Sequence, residues 1–362
     1  MVRSQDNETT VVGGGLMGRL MALALARRGE RVILHEAGSP EGQSAAAFAA
    51  AAMLAPDAES MEAEPCVVAL GRESLRLWPA LLQSLPEPVF FQAAGTLVIW
   101  HHQDRDQAQY LSRILGKAPE GPKRLSAAEL SALEPALGGR FLEGLYLPGE
   151  GQLDNRALLK SLSRALAEAG VDLRWGSPVE PSAITEGWVI DCRGLGARGD
   201  WRGLRGVRGE VLRVKTPEVT LHRPVRLLHP RYPLYVAPKP DGVFVVGATQ
   251  IESEDGSPTS VRSALELLTA LYTVHPGFAE ARIVEMSAQC RPTLPGHAPQ
   301  IRWRGGRRLE INGLYRHGYL VAPAVLAGAL AFIDQLRDNP STARGWCEAA
   351  PWPTLYHWSE AA

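Results

Sequence analysis

The feature that most constrains this chain is a glycine-rich turn near the N-terminus, between a short apolar run and an amphipathic segment. Residues 9–12 (Thr-Thr-Val-Val) lead into Gly13-x-Gly15-x-x-Gly18, and apolar residues then recur at helical spacing until Gly29. A second β-prone run, 31–35, ends at Glu36. This order of strand, turn, helix, strand and acidic residue predicts the Rossmann-like βαβ unit of a dinucleotide-binding domain.

Each residue of this turn has a physical role in holding a pyrophosphate. Gly13 permits the tight turn, Gly15 lets the backbone approach a phosphate, and Gly18 lets the helix pack closely on the strand. The free N–H groups and the positive end of the helix then face the phosphates. Glu36 lies where a carboxylate accepts hydrogen bonds from ribose hydroxyls. The glycine pattern does not by itself distinguish NAD from FAD.

Length and charge exclude several classes of function. The chain has 362 residues, enough for two intertwined domains. Its 38 basic and 39 acidic residues leave a formal charge of −1, so we expect no basic face and no nucleic-acid partner. No apolar run approaches the roughly 20 residues that span a bilayer. The N-terminal residues 1–8 are polar and acidic, unlike a signal peptide, so we expect no membrane association.

The cysteines indicate neither a metal site nor a disulfide framework. Cys66, Cys192, Cys290 and Cys347 are far apart in the sequence, with no CxxC pair among them. No His lies at metal-ligand spacing from them, so we expect no metal. Scattered thiols suit a reducing compartment, which favours a cytoplasmic protein.

The rest of the chain alternates between helical and strand-rich segments. Strand-prone runs at 235–238 and 243–247 flank a Lys-Pro-Asp-Gly turn and predict a hairpin. The run 188–196 predicts a strand that ends in a turn at Gly194, a second place where backbone can meet a nucleotide. We therefore expect an α/β fold, in which a Rossmann-like domain is interleaved with an α+β substrate domain built on an antiparallel sheet. The expected bounds are 1–80, 140–205 and 284–362 for the dinucleotide-binding domain, and 81–139 and 206–283 for the substrate-binding domain.

Two further segments border the expected cofactor site. Residues 44–56 are rich in alanine, which fits either a buried helix or a small-residue segment passing close to a flat cofactor. Residues 311–323 lead into an apolar helix expected from Ala324 to Leu336, with Pro323 in its first turn. The N-terminus of that helix would point at the turn containing Gly318. A nicotinamide enzyme needs no such second contact, so this segment favours FAD over NAD.

Together these segments resemble the glycine oxidase branch of the D-amino-acid oxidase superfamily, which supplies dehydroglycine for the thiazole of thiamine. The resemblance extends nearly from end to end of the chain. The segments that carry it are Gly13–Gly18 with Glu36, Ala51–Leu54, Arg208–Glu210, Tyr235–Gln250, Arg291–Pro292 and Arg316–Pro323.

The resemblance implies a non-covalently held FAD beneath an antiparallel sheet. The residues that would line FAD, in addition to the glycine turns, are Leu16, Met17, Glu36, Ala37, Ala51, Ala52, Met53, Val179, Leu314, Tyr315, Arg316, His317, Gly318, Tyr319 and Leu320. Arg291 would hold the substrate carboxylate, with Arg316 and Tyr235 beside it. Three positions depart from the family pattern, which has Gly at Ala52, Asn at His317 and Met at Gln250. The last two border the expected substrate pocket.

Amine oxidation by a flavin needs little acid–base machinery from the protein, whose work is to position the substrate. We therefore assign no catalytic residue. Arg291 lies in the nearly uncharged run 286–292, where its guanidinium would clamp a carboxylate by two parallel hydrogen bonds. The alternatives are a structural Arg291 paired with an acid, an Arg316 that braces its loop, and a Tyr235 that is simply packed.

The predicted function is an FAD-dependent oxidase of glycine, sarcosine or a small D-amino acid, with O2 as electron acceptor and H2O2 as product. The alternatives are an FAD-dependent amine dehydrogenase or oxidase of another substrate, and an NAD-dependent dehydrogenase in which Glu36 selects NAD. A third class is a non-catalytic flavoprotein or a flavin domain of an RNA-modifying enzyme, against which the lack of a basic face argues. Sequence leaves open whether the protein is a homo-oligomer.

Cys290 raises the question of a covalent flavin. In the related sarcosine oxidase branch a cysteine in this general region attaches to the flavin. Here the neighbouring Arg291 marks the glycine oxidase pattern, so we expect no covalent bond.

Overall fold

The computed structural model describes residues 8–116, 121–229 and 234–358. Within these ranges two large sheets carry the fold, together with a small one formed by Met53–Leu54, Gly151–Leu153 and Phe91–Gln92. The seven-stranded sheet has the spatial order Tyr356–Trp358, Gln300–Trp303, Arg308–Asn312, Trp188–Asp191, Glu8–Val12, Arg31–Glu36 and Asp172–Trp175. The eight-stranded sheet has the order Arg282–Thr293, Arg205–Lys215, Val243–Gly247, Leu234–Lys239, Val225–Leu228, Thr96–Trp100, Glu143–Leu147 and Lys123–Ser126.

The predicted βαβ unit is present at the centre of the seven-stranded sheet. Strand Glu8–Val12 pairs in parallel with Arg31–Glu36 on one side and with Trp188–Asp191 on the other. The helix between the first two strands runs from Leu16 to Arg27. Because the central strands are parallel, their carboxyl ends meet at one edge, where open α/β sheets bind their ligands.

The eight-stranded sheet is antiparallel except for one pair, Thr96–Trp100 with Val225–Leu228. The predicted hairpin is confirmed, with strands Leu234–Lys239 and Val243–Gly247 joined by a turn at 240–242. Glu143–Leu147 and Arg282–Thr293 belong to this sheet, although the expected bounds place the first strand, and residues 284–293 of the second, in the nucleotide domain. The domain bounds themselves stay a prediction.

The helices cover the two sheets and bury their apolar faces. Their bounds are Leu16–Arg27, Ala46–Ala49, Pro56–Glu59, Pro65–Gln83, Arg105–Leu115, Ala127–Leu133, Asn155–Glu168, Val261–Val274, Gly318–Asp338 and Ala343–Ala349. One core forms where the seven-stranded sheet packs against the buried side chains of four helices, Leu16–Arg27, Pro65–Gln83, Asn155–Glu168 and Gly318–Asp338. A second core fills the space between the eight-stranded sheet and Val261–Val274. Removal of this apolar surface from water is the main force that holds each layer together.

The last long helix differs from its prediction. It begins at Gly318, so Pro323 lies inside the helix rather than in its first turn. A proline has no N–H, so the carbonyl of Tyr319 loses its helical partner. The buried indole Nε1 of Trp78 donates to that carbonyl at 3.0 Å, and Ser74 accepts from the N–H of Ala324 at 3.1 Å. Side chains of Pro65–Gln83 therefore supply the hydrogen bonds that make an internal proline tolerable.

The same helix corrects the expectation that no segment is long and apolar enough to cross a bilayer. The stretch 315–338 meets that criterion by length and composition. However, 67% of its most apolar window is buried inside the protein, where it packs against the seven-stranded sheet and its helices. The apolarity is therefore that of a core helix. Residues 1–7 of the polar N-terminal segment lie outside the described residues.

Candidate functional site

A cavity of about 550 Å³ opens where the two large sheets meet. One wall consists of the carboxyl ends of Glu8–Val12, Trp188–Asp191 and Arg308–Asn312, and the other of strands from the eight-stranded sheet. The predicted site residues that line it are Gly13, Gly15, Leu16, Met17, Glu36, Ala51, Ala52, Met53, Gly194, Tyr235, Gln250, Arg291, Leu314, Tyr315, Arg316, His317, Gly318, Tyr319 and Leu320. The structure does not bring Gly18, Ala37 or Val179 to the cavity wall. Residues distant in sequence thus share one concave site.

The glycine turn fits the cradle of a pyrophosphate. Gly13 has φ +101°, and a Cβ there would lie 2.6 Å from the carbonyl oxygen of Cys192. A Cβ on Gly18 would collide with the carbonyl oxygen of Gly13, so this residue serves helix packing rather than the cavity wall. At Gly15, by contrast, a Cβ would meet only the Cβ of Ala45, at 3.9 Å. Gly15 therefore faces open cavity at the N-terminus of Leu16–Arg27, which no side chain of the described residues caps.

Glu36 lies beside this turn with both carboxylate oxygens engaged by backbone. One oxygen accepts the N–H of Gly14, and the other accepts the N–H of Gly38 at 2.7 Å. Each carboxylate oxygen can accept more than one hydrogen bond, so the group retains acceptors for ribose hydroxyls. The backbone bonds fix its orientation towards the cavity.

The alanine-rich segment forms a thin wall of the cavity. Before Pro56 the segment is helical only at Ala46–Ala49, and the chain then runs extended past Ala51. Ala52 adopts φ +52°, a left-handed conformation that costs little for glycine and about 1 kcal/mol for other residues. This conformation accounts for the Gly of the family pattern at this position.

A buried amine, which the sequence reasoning missed, holds this wall in place. Lys239 Nζ donates to the carbonyls of Ala51 and Leu153, at 2.9 and 2.7 Å, and to Gln152 Oε1 at 3.0 Å. Burial lowers the pKa of Lys239 to about 7, because the ammonium ion loses its hydration. The path of the alanine segment thus depends on Lys239, the last residue of the strand before the hairpin turn.

Arg291 is a partly buried cation without an acidic partner. Its two terminal nitrogens both donate to the carbonyl of Thr249, at 3.1 Å each, and no carboxylate of the described residues lies within salt-bridge distance. The guanidinium lies over Gly209, where any Cβ would collide with it. Burial lowers the pKa of Arg291, and the group nevertheless stays charged at neutral pH. An unpaired guanidinium in a cavity is the donor set that a carboxylate ligand requires.

Two phenols lie near Arg291. Tyr235 stands over Gly247, where a Cβ would lie 2.8 Å from the phenolic oxygen. Tyr315 has φ +51° and stacks on His297 at 4.8 Å between ring centroids. Its hydroxyl is buried and has no hydrogen-bond partner among the described residues. Burial raises the pKa of both phenols, so both remain neutral donors that a bound anion can use.

Arg316 is held by acids rather than left free for a substrate. It contacts Glu59 at 2.6 Å and Glu62 at 2.8 Å, and it donates to Gln250 Oε1 at 3.1 Å. Arg226 also donates to Glu59, at 3.0 Å. Burial alone raises the pKa of the Glu59 carboxyl, but Arg316, Arg226 and His317 outweigh it, so the pKa falls to about 2. These ion pairs fit the alternative interpretation of Arg316, in which its guanidinium holds its own loop in place instead of binding the substrate.

The sequence reasoning also missed Glu59 and Arg226. The available signal was Pro56-Asp57-Ala58-Glu59 directly after the alanine-rich segment, since a proline at the first helical position predicts a short helix there. That helix carries Glu59 to the cavity wall.

His317 and Tyr319 hold the turn around Tyr315 and Arg316 in place. His317 is 3% exposed and contacts Tyr315 edge-on, with ring centroids 5.6 Å apart. Burial lowers the pKa of His317 to about 4, so the ring is neutral at pH 7. The hydroxyl of Tyr319 donates to the carbonyl of Ala47 at 3.0 Å, which ties the last long helix to the alanine segment.

Cys290 borders the cavity, and its thiol lies near backbone carbonyls, 3.9 Å from that of Ser253 and 3.7 Å from that of Asp255. Burial raises the pKa of this thiol, so it is protonated and weakly nucleophilic at neutral pH. We therefore expect acid precipitation of the purified protein to release all of the flavin into the supernatant. A pellet that stays yellow would contradict this expectation.

Comparisons with known proteins agree with this geometry. The family model described as DAO, FAD dependent oxidoreductase, matches residues 8–331. A Rhizobium etli protein named as the thiamine biosynthesis oxidoreductase ThiO is 43% identical over 321 residues, which cover 89% of this chain and 94% of that protein.

Solved structures share the fold. Glycine oxidase from Bacillus cereus superposes with a TM-score of 0.78 at 23% identity, and the match covers 92% of this chain and 97% of that one. Iminodiacetate oxidase from Chelativorans sp. BNC1 superposes with a TM-score of 0.76 at 23% identity, covering 98% of this chain and all of that one. These two structures support the α/β architecture with its second, mostly antiparallel sheet.

Proposed function

Because the chain belongs to the DAO family of FAD-dependent oxidoreductases, we propose that it oxidises a small amino acid, with glycine, sarcosine and small D-amino acids as its substrate class. The same resemblance supports a role in supplying the imine for the thiazole of thiamine, since the Rhizobium etli relative carries a thiamine biosynthesis name. NAD is excluded as the cofactor, because the family is FAD-dependent.

The observation that carries the proposal is the unpaired guanidinium of Arg291 in the cavity. A carboxylate bound there would accept two parallel charge-assisted hydrogen bonds, which fix both position and orientation. The hydroxyls of Tyr235 and Tyr315 are neutral donors on the same cavity wall, and the Tyr315 hydroxyl has no hydrogen-bond partner among the described residues. An α-amino acid would therefore enter with its carboxylate towards Arg291.

We propose that the glycine turn holds the FAD pyrophosphate, that Glu36 binds the adenosine ribose, and that the alanine segment and residues 314–320 enclose the flavin end. The chemistry that FAD supplies when bound is two-electron oxidation of the carbon–nitrogen bond, with O2 receiving the electrons as H2O2. The protein's own contribution is positioning: it aligns the amine carbon and excludes water from the cavity.

A peroxide assay across a panel of amines tests this function. We expect H2O2 from glycine, sarcosine and D-alanine, with activity declining gradually along larger D-amino acids. Pocket size discriminates by only about 1–3 kcal/mol per methylene, so the decline should have no sharp step. Strong preference for an amine without a carboxylate would refute the amino-acid assignment and leave the flavin oxidase assignment standing.

A further inference from the structure

The charges around the proposed substrate position leave room for one carboxylate. Glu59 and Glu62 pair with Arg226 and Arg316, so these four groups carry no net charge together. Arg291 remains, with a single uncompensated positive charge. A substrate with one carboxylate therefore neutralises the site. A second carboxylate in the same cavity would have no free cation within the described residues.

Contacts place Glu59 and Arg291 on the wall of the same cavity. Arg316 contacts Glu59 at 2.6 Å and donates to Gln250 at 3.1 Å. The residue before Gln250 is Thr249, whose carbonyl receives both hydrogen bonds of Arg291. All of these residues line the cavity. A ligand anchored at Arg291 thus projects its remaining atoms into a space bounded by an ionised acid.

We propose that the Glu59 carboxylate makes this site selective for amines with a single carboxylate and excludes dicarboxylic amines such as iminodiacetate. This inference rests on the proposed function and specifies its substrate class. Arg226 and Arg316 could accept a second carboxylate only if Glu59 gave up its contacts with both, which would leave a partly buried acid unpaired. A second carboxylate beside Glu59, with no free cation to compensate it, would meet like-charge repulsion, for which we expect about a 100-fold loss of affinity.

The first experiment separates charge from size. Sarcosine, iminodiacetate and the monoamide of iminodiacetate are compared by kcat/KM in the wild-type enzyme. The monoamide has nearly the shape of iminodiacetate but lacks the second negative charge. We expect the kcat/KM for iminodiacetate to be about 100-fold lower than that for the monoamide. Equal values for the two would overturn the proposal, because size alone would then set the selectivity.

The second experiment removes the charge from the protein. In Glu59→Gln, the ratio between monoamide and iminodiacetate should shrink by about 10-fold or more. Glu62→Gln, which removes the more exposed partner of Arg316, should shift the ratio in the same direction by a smaller factor. Glu64→Gln is the matched control, because Glu64 is exposed and does not line the cavity. An unchanged ratio in both Glu59→Gln and Glu62→Gln would refute a role for Glu59.

A binding measurement keeps the test independent of turnover. Methoxyacetate and diglycolate are unreactive analogues of sarcosine and iminodiacetate, and calorimetric titration of the holoenzyme gives their dissociation constants. We expect diglycolate to bind about 100-fold more weakly than methoxyacetate in the wild type, with a smaller difference in Glu59→Gln. If no amine in the panel yields peroxide, the proposed function fails. The two analogues then still decide whether Glu59 excludes a second carboxylate.

Discussion

Replacement of Gly15 by valine is expected to abolish FAD binding while the protein still folds. Gly15 faces the cavity, and an added Cβ would meet nothing closer than Ala45 at 3.9 Å. The folded chain can therefore accommodate the side chain, which would occupy the space of the pyrophosphate. The purified Gly15→Val protein should be colourless, with no oxidase activity and a circular dichroism spectrum close to that of wild-type apoprotein.

Gly13→Ala provides the contrasting control for this experiment. Its Cβ would lie 2.6 Å from the Cys192 carbonyl oxygen, and its φ of +101° is unfavourable for alanine. This variant should lose thermal stability as well as flavin, whereas Gly15→Val should lose only flavin. Normal flavin content in Gly15→Val would show that the pyrophosphate binds elsewhere.

Replacement of Arg291 by alanine is expected to lower kcat/KM on the true substrate by ~10- to 150-fold without loss of flavin. The loss follows from one charge-assisted clamp, which contributes on the order of 1.5–3 kcal/mol. Most of it should appear as a raised KM, because the carboxylate is bound before and during the reaction. Steady-state kinetics with flavin content measured in parallel distinguishes this result from loss of the holoenzyme.

Two companion variants sharpen the interpretation of Arg291. Arg291→Lys should recover part of the activity, since an ammonium retains the charge but cannot form two parallel hydrogen bonds. Gly209→Ala leaves the arginine in the sequence but displaces its guanidinium, so it should reproduce much of the loss. Wild-type kinetics in Arg291→Ala would mean that another residue holds the carboxylate.

The parts of the fold that could be predicted are those with local causes. The turn at Gly13 needs a residue that tolerates positive φ and a close neighbour, and Glu36 ends a strand whose β-prone run is continuous in sequence. The hairpin around 240–242 likewise follows from Pro, Asp and Gly in adjacent positions. The family assignment is confirmed by the match over residues 8–331.

The parts that could not be predicted depend on contacts between distant segments. The short helix brings Glu59 to the cavity wall, but its ion pairs with Arg226 and Arg316 come from other elements and have no local signal in the sequence. Lys239 looks like a turn residue in sequence, yet its amine reaches the backbone of the alanine segment. The predicted start of the last helix is wrong, because Trp78 and Ser74, which are remote in sequence, supply the hydrogen bonds that an internal Pro323 requires.

The position of the cavity between two sheets has a consequence for how the protein unfolds. Its walls come from both the seven-stranded and the eight-stranded sheet, so neither sheet alone offers a complete binding surface. A molecule bound there has affinity only for the chain in which both sheets are assembled. Through thermodynamic linkage, each tenfold increase in the concentration of that molecule above its dissociation constant adds about 1.4 kcal/mol to the free energy needed to separate the two sheets. The bound cofactor thus stabilises the contact between the two sheets, and the apoprotein is expected to have a lower free energy of unfolding.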